Sequence, residues 1–461
     1  MGGGLLTDLY ELNMAASYLR RGMDDDATFS LFVRRLPAER GFVVSAGLDG
    51  CLDFLEDLGF DDEDLGYLGS IGFDDEAVDA FRGLRFTGEV WAVPEGRIVF
   101  AGEPVLEVTA PLAEAQIAET FLLNRITLEA TLASKAARCR IAADDRELMD
   151  FAFRRTHGLD AAMAVARTTA MCGFGATSNV EAARRFGLRA AGTMAHSYIE
   201  AFPTEHDAFL AFAEDFPGRT TFLVDTFDTA EGVDAAIAVI RELGLRPPLA
   251  VRLDSGDLDA LSREARRRLD GAGLEGVRII ASGGLDDVDI ERLVASGAPV
   301  DGFGVGTRLG VSADAPFLDT VYKLVETGGR AVAKLSTGKA SMPGRKQVFR
   351  RSAPGEDVLG LRDEPAPPGT EPLLQRVMSG GRRSAEPEPL EAARERFLRD
   401  LAGLPPAARR LTDPVAPEPA VSDALRKLDS DVRVAIVSRS GRDESDNNRA
   451  GKLTNPRPAG R

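Results

Sequence analysis

Hydrophobic positions along the chain change period from one region to the next. Over residues 5–22, Leu9, Leu12, Met14, Ala16 and Tyr18 recur at helical spacing and predict an opening helix. Two short apolar runs bounded by turn residues, TFSLFVRR (28–35) and FVVSAG (42–47), predict strands. The acidic stretch around Gly59, Asp61, Asp62, Glu63 and Asp64 reads as a solvated helix. From Gly88 to Pro111, β-prone runs alternate with Pro-Glu-Gly and Gly-Glu-Pro, the punctuation of a small antiparallel sheet.

Near Pro111 the character changes. Residues 112–139, rich in Ala, Leu and Glu, predict one long helix. Six apolar runs then alternate with helical stretches: DFAFRR (150–155), RAAGTMAHS (189–197), TTFLVDT (220–226), LAVRLDS (249–255), VRIIASGG (277–284) and VDGFGVGT (300–307). Strand-then-helix alternation predicts a parallel sheet closed or covered by helices. His196, Asp225, Asp254 and Gly283 follow one another at intervals of 29 residues, about one βα repeat. From Arg330 onward, strand-like and helical pieces return, with many prolines and a basic patch at Arg345 and Lys346. After residue 430 the chain is rich in Ser, Asp, Asn and Arg and nearly free of apolar residues, which predicts a disordered tail.

Composition narrows the partners. The 461 residues, 44% hydrophobic and 28% charged, fit two or three globular domains and exclude wholesale disorder. With 56 basic and 73 acidic residues the net charge is −17. This argues against a nucleic-acid or anionic-membrane partner, whose electrostatic footprint is basic. Small anions remain possible where a few arginines gather. Cys51, Cys139 and Cys172 are widely spaced and form neither a disulfide framework nor a metal clip, as suits a reducing cytoplasm. No basic-then-apolar leader opens the chain and no run of about 18 apolar residues occurs. A cytoplasmic protein is expected.

In barrel-like α/β proteins the site is assembled just past the C-terminal ends of the strands. Those positions here hold Arg154, Arg155, Thr156 and His157; Thr193, His196 and Ser197; Asp225 and Thr226; Arg252, Asp254, Ser255 and Asp257; Ser282, Gly283 and Gly284; and Gly304, Gly306 and Thr307. The glycine turns SGG and GVGT sit on consecutive late strands, where backbone N–H groups and helix N-termini cradle a phosphate; each alone could equally be turn chemistry. Arg252 ends an apolar strand. It either pairs with Asp254 or Asp257 as a structural bridge or holds a substrate carboxylate in its planar fork. His196, on the rim, reads by itself as a core histidine. His157 reads as a turn residue and His206 as a surface residue at a helix start.

The motifs TDLYELNM (7–14), FVVSAGLD (42–49), RRTHGLDAAM (154–163), GTMAHS (192–197), VRLDSGDL (251–258) and GFGVGT (302–307) resemble those of nicotinate phosphoribosyltransferases. KLSTGKASMPGRKQVFR (334–350) is similar to that family's segment after the barrel. The resemblance runs in order from about Leu5 to Leu428. It implies an α/β fold of type II phosphoribosyltransferase kind: an irregular, TIM-like barrel over 111–329 and a second α/β domain from 1–110, completed by 330–430. Residues 431–461 are left as the tail.

The resemblance also implies roles. Tyr10 would stack on the pyridine ring of nicotinate, donated across the interface of a homodimer. Thr193 and Arg252 would bind nicotinate, Arg252 through its carboxylate. His196 would be phosphorylated by ATP. Thr307 would bind the phosphate of phosphoribosyl pyrophosphate, with Arg155 in the same anionic pocket. The glycine turns read above add Gly306, Gly283 and Gly284 to that site, and the partner orienting His196 is left open, with Asp225 and Asp254 the candidate carboxylates. The reaction implied is ATP-coupled, of ligase type, and feeds NAD synthesis with Mg2+ accompanying ATP and the ribosyl donor; no metal ligand can be named from the sequence. Physically it is a displacement at C1 of the ribose. The pyridine nitrogen owns a free lone pair, so no general base is needed and catalysis rests on positioning and charge stabilisation. The other readings are a phosphoribosyltransferase for nicotinamide or quinolinate, and a catalytically silent metabolite-binding relative.

Overall fold

The computed structural model describes residues 3–335 and 341–450, with side chains described as far as 438. The chain opens with helix α1 (Leu9–Arg20) and strand β1 (Asp26–Val33), and later forms β2 (Glu89–Ala92) and β3 (Pro104–Pro111). The predicted long helix is two pieces set nearly end to end, α2 (Leu112–Ile117) and α3 (Glu119–Ala143). Strands and helices then alternate: β4 (Glu147–Asp150), α4 (Leu159–Met171), β5 (Ala176–Thr177), α5 (Glu205–Asp215), β6 (Thr221–Leu223), α6 (Thr229–Leu243), β7 (Ala250–Leu253), α7 (Leu258–Gly271), β8 (Arg278–Ala281), α8 (Asp287–Ala295) and β9 (Gly302–Val305). After these come β10 (Thr320–Thr327), β11 (Lys346–Arg350), β12 (Asp357–Leu361), β13 (Gln375–Ser379), α9 (Leu390–Gly403) and α10 (Asp423–Ala450).

Strand β1 is buried along seven of its eight residues, so it must lie inside a sheet. It pairs antiparallel with β3 on one side and β10 on the other. The sheet extends through β2 to β13. The first domain is thus woven from both chain ends, but its return begins at Thr320, ahead of the expected boundary at 330. The short apolar run of β10 gives no local sign that its partner lies about 290 residues earlier. A smaller sheet contains β11 and β12.

The βα region forms a parallel sheet in the order β5-β4-β9-β8-β7-β6. Its middle strands are buried on both faces, which is why they read as continuous apolar runs. The strand expected at 150–155 stops at Asp150, and Phe153–Arg155 is a 3-10 turn. The strand expected at 189–197 is only a bridge from Ala190 to Thr177. Yet that bridge shows how the sheet curls. Ala191 still bonds to Thr177 at the β5 edge, while His196 already meets Thr226 beyond the β6 edge. Five residues span at most about 18 Å, so the two edges approach each other and residues 192–196 cross the gap. The sheet is a curled half-barrel.

Helix α3 joins the two regions. Its stretch around Ala130, Ala133, Ala136 and Ala137 is fully buried, and small side chains allow close packing on both sides. Lys135 and Arg138 are buried there too, both paired with Asp287 at the start of α8; Lys135 also reaches Asp314 at 2.9 Å. At the C-terminus, residues 431–450 continue α10 in place of the predicted tail. Helical pairs such as Arg433–Asp429 accompany that extension, and composition does not register such local pairing. Residues 336–340 of the motif at 334–350, and 451–461 of the tail, lie outside the described residues.

Candidate active site

Arg252 is the third residue of β7, next to the rim, with its side chain only 12% exposed. Burial at that level demands partners for the guanidinium, and three are present. Nε donates to Ser282 Oγ at 2.8 Å, Nη1 to Thr193 Oγ1 at 2.9 Å and Nη2 to Asp254 Oδ1 at 2.5 Å. The Ser282 hydroxyl in turn donates to Asp254 Oδ1 at 2.6 Å. The Phe151 ring lies 5.6 Å from the guanidinium carbon, within cation–π range. Gly304 of the adjacent strand makes room for that ring: a Cβ there would sit 2.4 Å from Phe151 Cε2.

Burial pushes the Asp254 carboxyl up. The Ser282 hydrogen bond, the Arg252 charge and, less, His196 outweigh it, and the carboxyl ends below its usual range. Asp254 is therefore ionised at neutral pH. Asp225 braces this loop from the neighbouring strand end. Its Oδ2 accepts from Asp254 N and Ser255 Oγ, both at 2.8 Å. Its Oδ1 is buried without a partner among the described residues. Glu205, the first residue of α5, also has a buried unpartnered oxygen. Burial first, then the charges of Asp225, Glu231 and Asp228, push its carboxyl up to about 7.

His196 begins a five-residue helix. Its Nδ1 lies 3.1 Å from Thr226 Oγ1 and its Nε2 lies 3.8 Å from Asp254 Oδ2. The carboxylate facing the imidazole is thus Asp254, and Asp225 acts one step behind it. The ring is 40% exposed, too open for a core histidine.

The glycine turns are built differently from each other. Gly283 and Gly284 have φ of +90° and +74°, and a Cβ on Gly283 would lie 1.6 Å from the Asp254 carbonyl oxygen. Only glycine fits there. No backbone hydrogen bond uses the N–H of either residue among the described residues. The helix N-terminus behind them is not open, however, as the sequence suggested. Asp286 caps α8, accepting from Val288 N and Asp289 N, each at 3.1 Å. Gly306 precedes Thr307, the first residue of a four-residue helix. Arg308 then ties the two turns by donating to Asp286 at 2.8 Å and Asp289 at 3.2 Å.

Thr193, His196, Asp225, Arg252, Asp254 and Gly283 therefore meet in one place, with Gly306 and Thr307 two strands along from β7. Arg155 is exposed on its 3-10 turn and does not join the cluster. Tyr10 lies on α1 in the other domain, half exposed beside exposed Leu6 and Leu9. Phe151 and Thr226 complete the cluster. An aromatic one residue past the end of a buried strand, opposite a strand glycine, was the available signal for Phe151.

The nicotinate phosphoribosyltransferase N-terminal domain matches residues 5–127, and the nicotinate phosphoribosyltransferase family matches residues 146–353. The chain belongs to the nicotinate phosphoribosyltransferase family. Nicotinate phosphoribosyltransferase pncB2 of Mycobacterium tuberculosis is 49% identical over 92% of this chain and 92% of its own length. The nicotinate phosphoribosyltransferase of Bacillus subtilis is 45% identical over 75% of this chain and 72% of its own. The human nicotinic acid phosphoribosyltransferase structure superimposes with a TM-score of 0.82 at 29% identity, covering 92% of this chain and 99% of that one. A nicotinate-nucleotide pyrophosphorylase from Pyrococcus furiosus follows at 0.73 and 27% identity, covering 87% and 95%. The fold is thus that of type II phosphoribosyltransferases, a half-barrel beside a domain built from both chain ends. Among the described residues of this family member, no helix is long and apolar enough to cross a membrane.

Proposed function

We propose that this chain forms nicotinate mononucleotide and pyrophosphate from nicotinate and phosphoribosyl pyrophosphate, coupled to ATP through a phosphohistidine, in NAD biosynthesis. The observation that carries the reading is the meeting of Arg252, Thr193 and His196 from separate stretches of chain. A guanidinium has five N–H donors, and Ser282, Thr193 and Asp254 take three, one from each nitrogen. One N–H is left on each terminal nitrogen, the pair a carboxylate accepts side by side. Phe151 and the bridge to Asp254 fix the plane of that fork. The structural bridge and the substrate fork are thus two uses of one side chain.

The pyridine nitrogen attacks C1 of the ribose as the C1–O bond to pyrophosphate breaks, so the developing negative charge lies on the leaving group. The turns at Gly283, Gly284, Gly306 and Thr307 hold the phosphoribosyl end. Among the described residues no group of three or more His, Cys, Asp or Glu side chains is placed to cage a metal. Mg2+ accompanies the diphosphate and ATP as part of the substrates, neutralising their oxygens. In the ATP half-reaction, Nδ1–H of His196 donates to Thr226 and Nε2 keeps its lone pair to attack the γ-phosphorus, releasing ADP. At 3.8 Å, Asp254 is too far to occupy Nε2 by a hydrogen bond, but it stabilises the cationic ring.

A homodimer supplies Tyr10. Leu9 and Tyr10 are exposed on α1 with Leu6 just ahead of it, and Phe153, Leu159 and Phe227 are exposed near the strand-end rim. Two such apolar surfaces favour association with a second copy, in a cytoplasmic setting. The test is incubation of the protein with the ribosyl donor and Mg2+ plus nicotinate, nicotinamide or quinolinate, with and without ATP. Nicotinate mononucleotide, stimulated by ATP, is the expected product. A product from quinolinate without ATP would replace this reading, and no product from any base would make the chain a silent binder.

A further inference from the structure

Outside the strand-end cluster, a pair of carboxyl groups lies beneath Tyr10 in the first domain. Glu11 of α1 is fully buried, with Oε1 unpartnered among the described residues. Its other oxygen accepts from Gln116 of α2, and the same amide donates to Glu119 Oε2 at 3.1 Å. One side-chain amide thus serves two acids. The groups around them offer little positive charge. Asp8 ahead of α1 and Tyr18 on it add no cation, and the buried Tyr322 of β10 spends its hydroxyl on Ala115 O at 2.9 Å. Lys323 of β10 is the cation acting on Glu119. Two ionised carboxylates cannot share so dry a place without large cost.

We propose that Glu11 and Glu119 share one proton, and that this proton positions the Tyr10 end of α1. Glu119 carries it: burial, then the charge of Glu11, hold its carboxyl up to about 7, against Lys323 and Gln116. The protonated Glu119 supplies the donor that the Glu11 carboxylate otherwise lacks. Tyr10 is the residue before Glu11 on α1, and burial first, then the neighbouring Glu11 carboxylate, push its phenol well above the usual range. α1 is also pinned at its start by Asp8, whose Oδ2 accepts from Thr120 at 3.0 Å. Loss of the proton leaves two like charges facing each other across the α1–α3 contact, and the residue that moves most directly with Glu11 is Tyr10. The role is positioning, and it rests on the reading that Tyr10 stacks on the base in a partner's site.

The test follows kcat and KM for nicotinate in the full-length enzyme from about pH 6 to about pH 9. In the wild type, KM rises by about fivefold through neutrality while kcat changes less, as for loss of ground-state positioning. Glu119→Gln keeps a donor without ionising, so its KM stays flat at the low-pH value. A rise in Glu119→Gln equal to that of wild type overturns the proposal. Tyr10→Ala separates the two layers: no change in its KM at low pH rejects Tyr10 as the stacking residue, whatever the pair does. Should Glu119→Gln not fold, infrared titration of the wild type decides. A protonated carboxyl band vanishing near neutrality supports the shared proton, and its absence at low pH refutes it.

Discussion

Replacing Arg252 by lysine keeps the charge and removes the geometry. The guanidinium reaches Ser282, Thr193 and Asp254 from three different nitrogens. A lysine ammonium holds its three donors on one atom and can at best keep Asp254 while touching one substrate oxygen. The second charge-assisted bond to the nicotinate carboxylate is lost, worth about 1.5–3 kcal/mol. Thr193 is released as well, at about 1 kcal/mol. Together, about 3 kcal/mol corresponds to roughly a hundredfold rise in KM for nicotinate. The assay is the initial rate of mononucleotide formation at saturating ribosyl donor, beside a melting curve to confirm folding. The KM for phosphoribosyl pyrophosphate should move far less, because the proposed site for its phosphate is at the glycine turns. A folded Arg252→Lys enzyme with nicotinate KM within about threefold of wild type would refute the fork as the carboxylate site.

His196→Ala should abolish nicotinate-stimulated ATP hydrolysis while leaving stability within about 1 kcal/mol, since the ring is 40% exposed; persisting ATP turnover rejects the phosphohistidine. Gly283→Ala drives a Cβ onto the Asp254 carbonyl oxygen at 1.6 Å, so the 254–255 loop must shift. KM should rise at least about tenfold for both substrates, and unchanged kinetics would show that the rim tolerates displacement. The Glu205 carboxyl, raised to about 7 from a reference of 4.5, stabilises the fold fully below its unfolded value, and that contribution is lost as pH rises through 7. Glu205→Gln should therefore melt increasingly above wild type as pH climbs from about 5 to about 8, and a constant difference between the two would contradict the assignment.

Much of this site was legible because parallel strands buried on both faces write themselves as apolar runs, and the residue after each run lands on the rim. Arg252, Asp254 and Gly283 were found in that way, and their 29-residue spacing became contact: Asp225 bonds Asp254, and Gly283 packs on it. His196 kept the spacing without a full strand before it. The pairing of β10 with β1 left no local trace, because antiparallel partners can be any distance apart in sequence. Asp286 was hidden for a different reason: a capping aspartate and a phosphate use the same donors, and the sequence does not say which occupies them. Thr226 was placed on the rim by the sequence without a role, and Phe151, one residue past its strand, had no chemistry of its own to mark it until Arg252 lay beside it. The motifs of the family resemblance supplied Tyr10, which in the fold lies away from the cluster.

The crossing made by residues 192–196 has a consequence for how the scaffold stands up. A fully closed barrel is sealed by its own backbone, whereas here the seam is stitched by the side chains of Thr193 and His196, the same groups proposed above to meet substrate. On that proposal occupancy and rigidity are one property: filling the pocket fastens the seam, and loosening the seam empties the pocket.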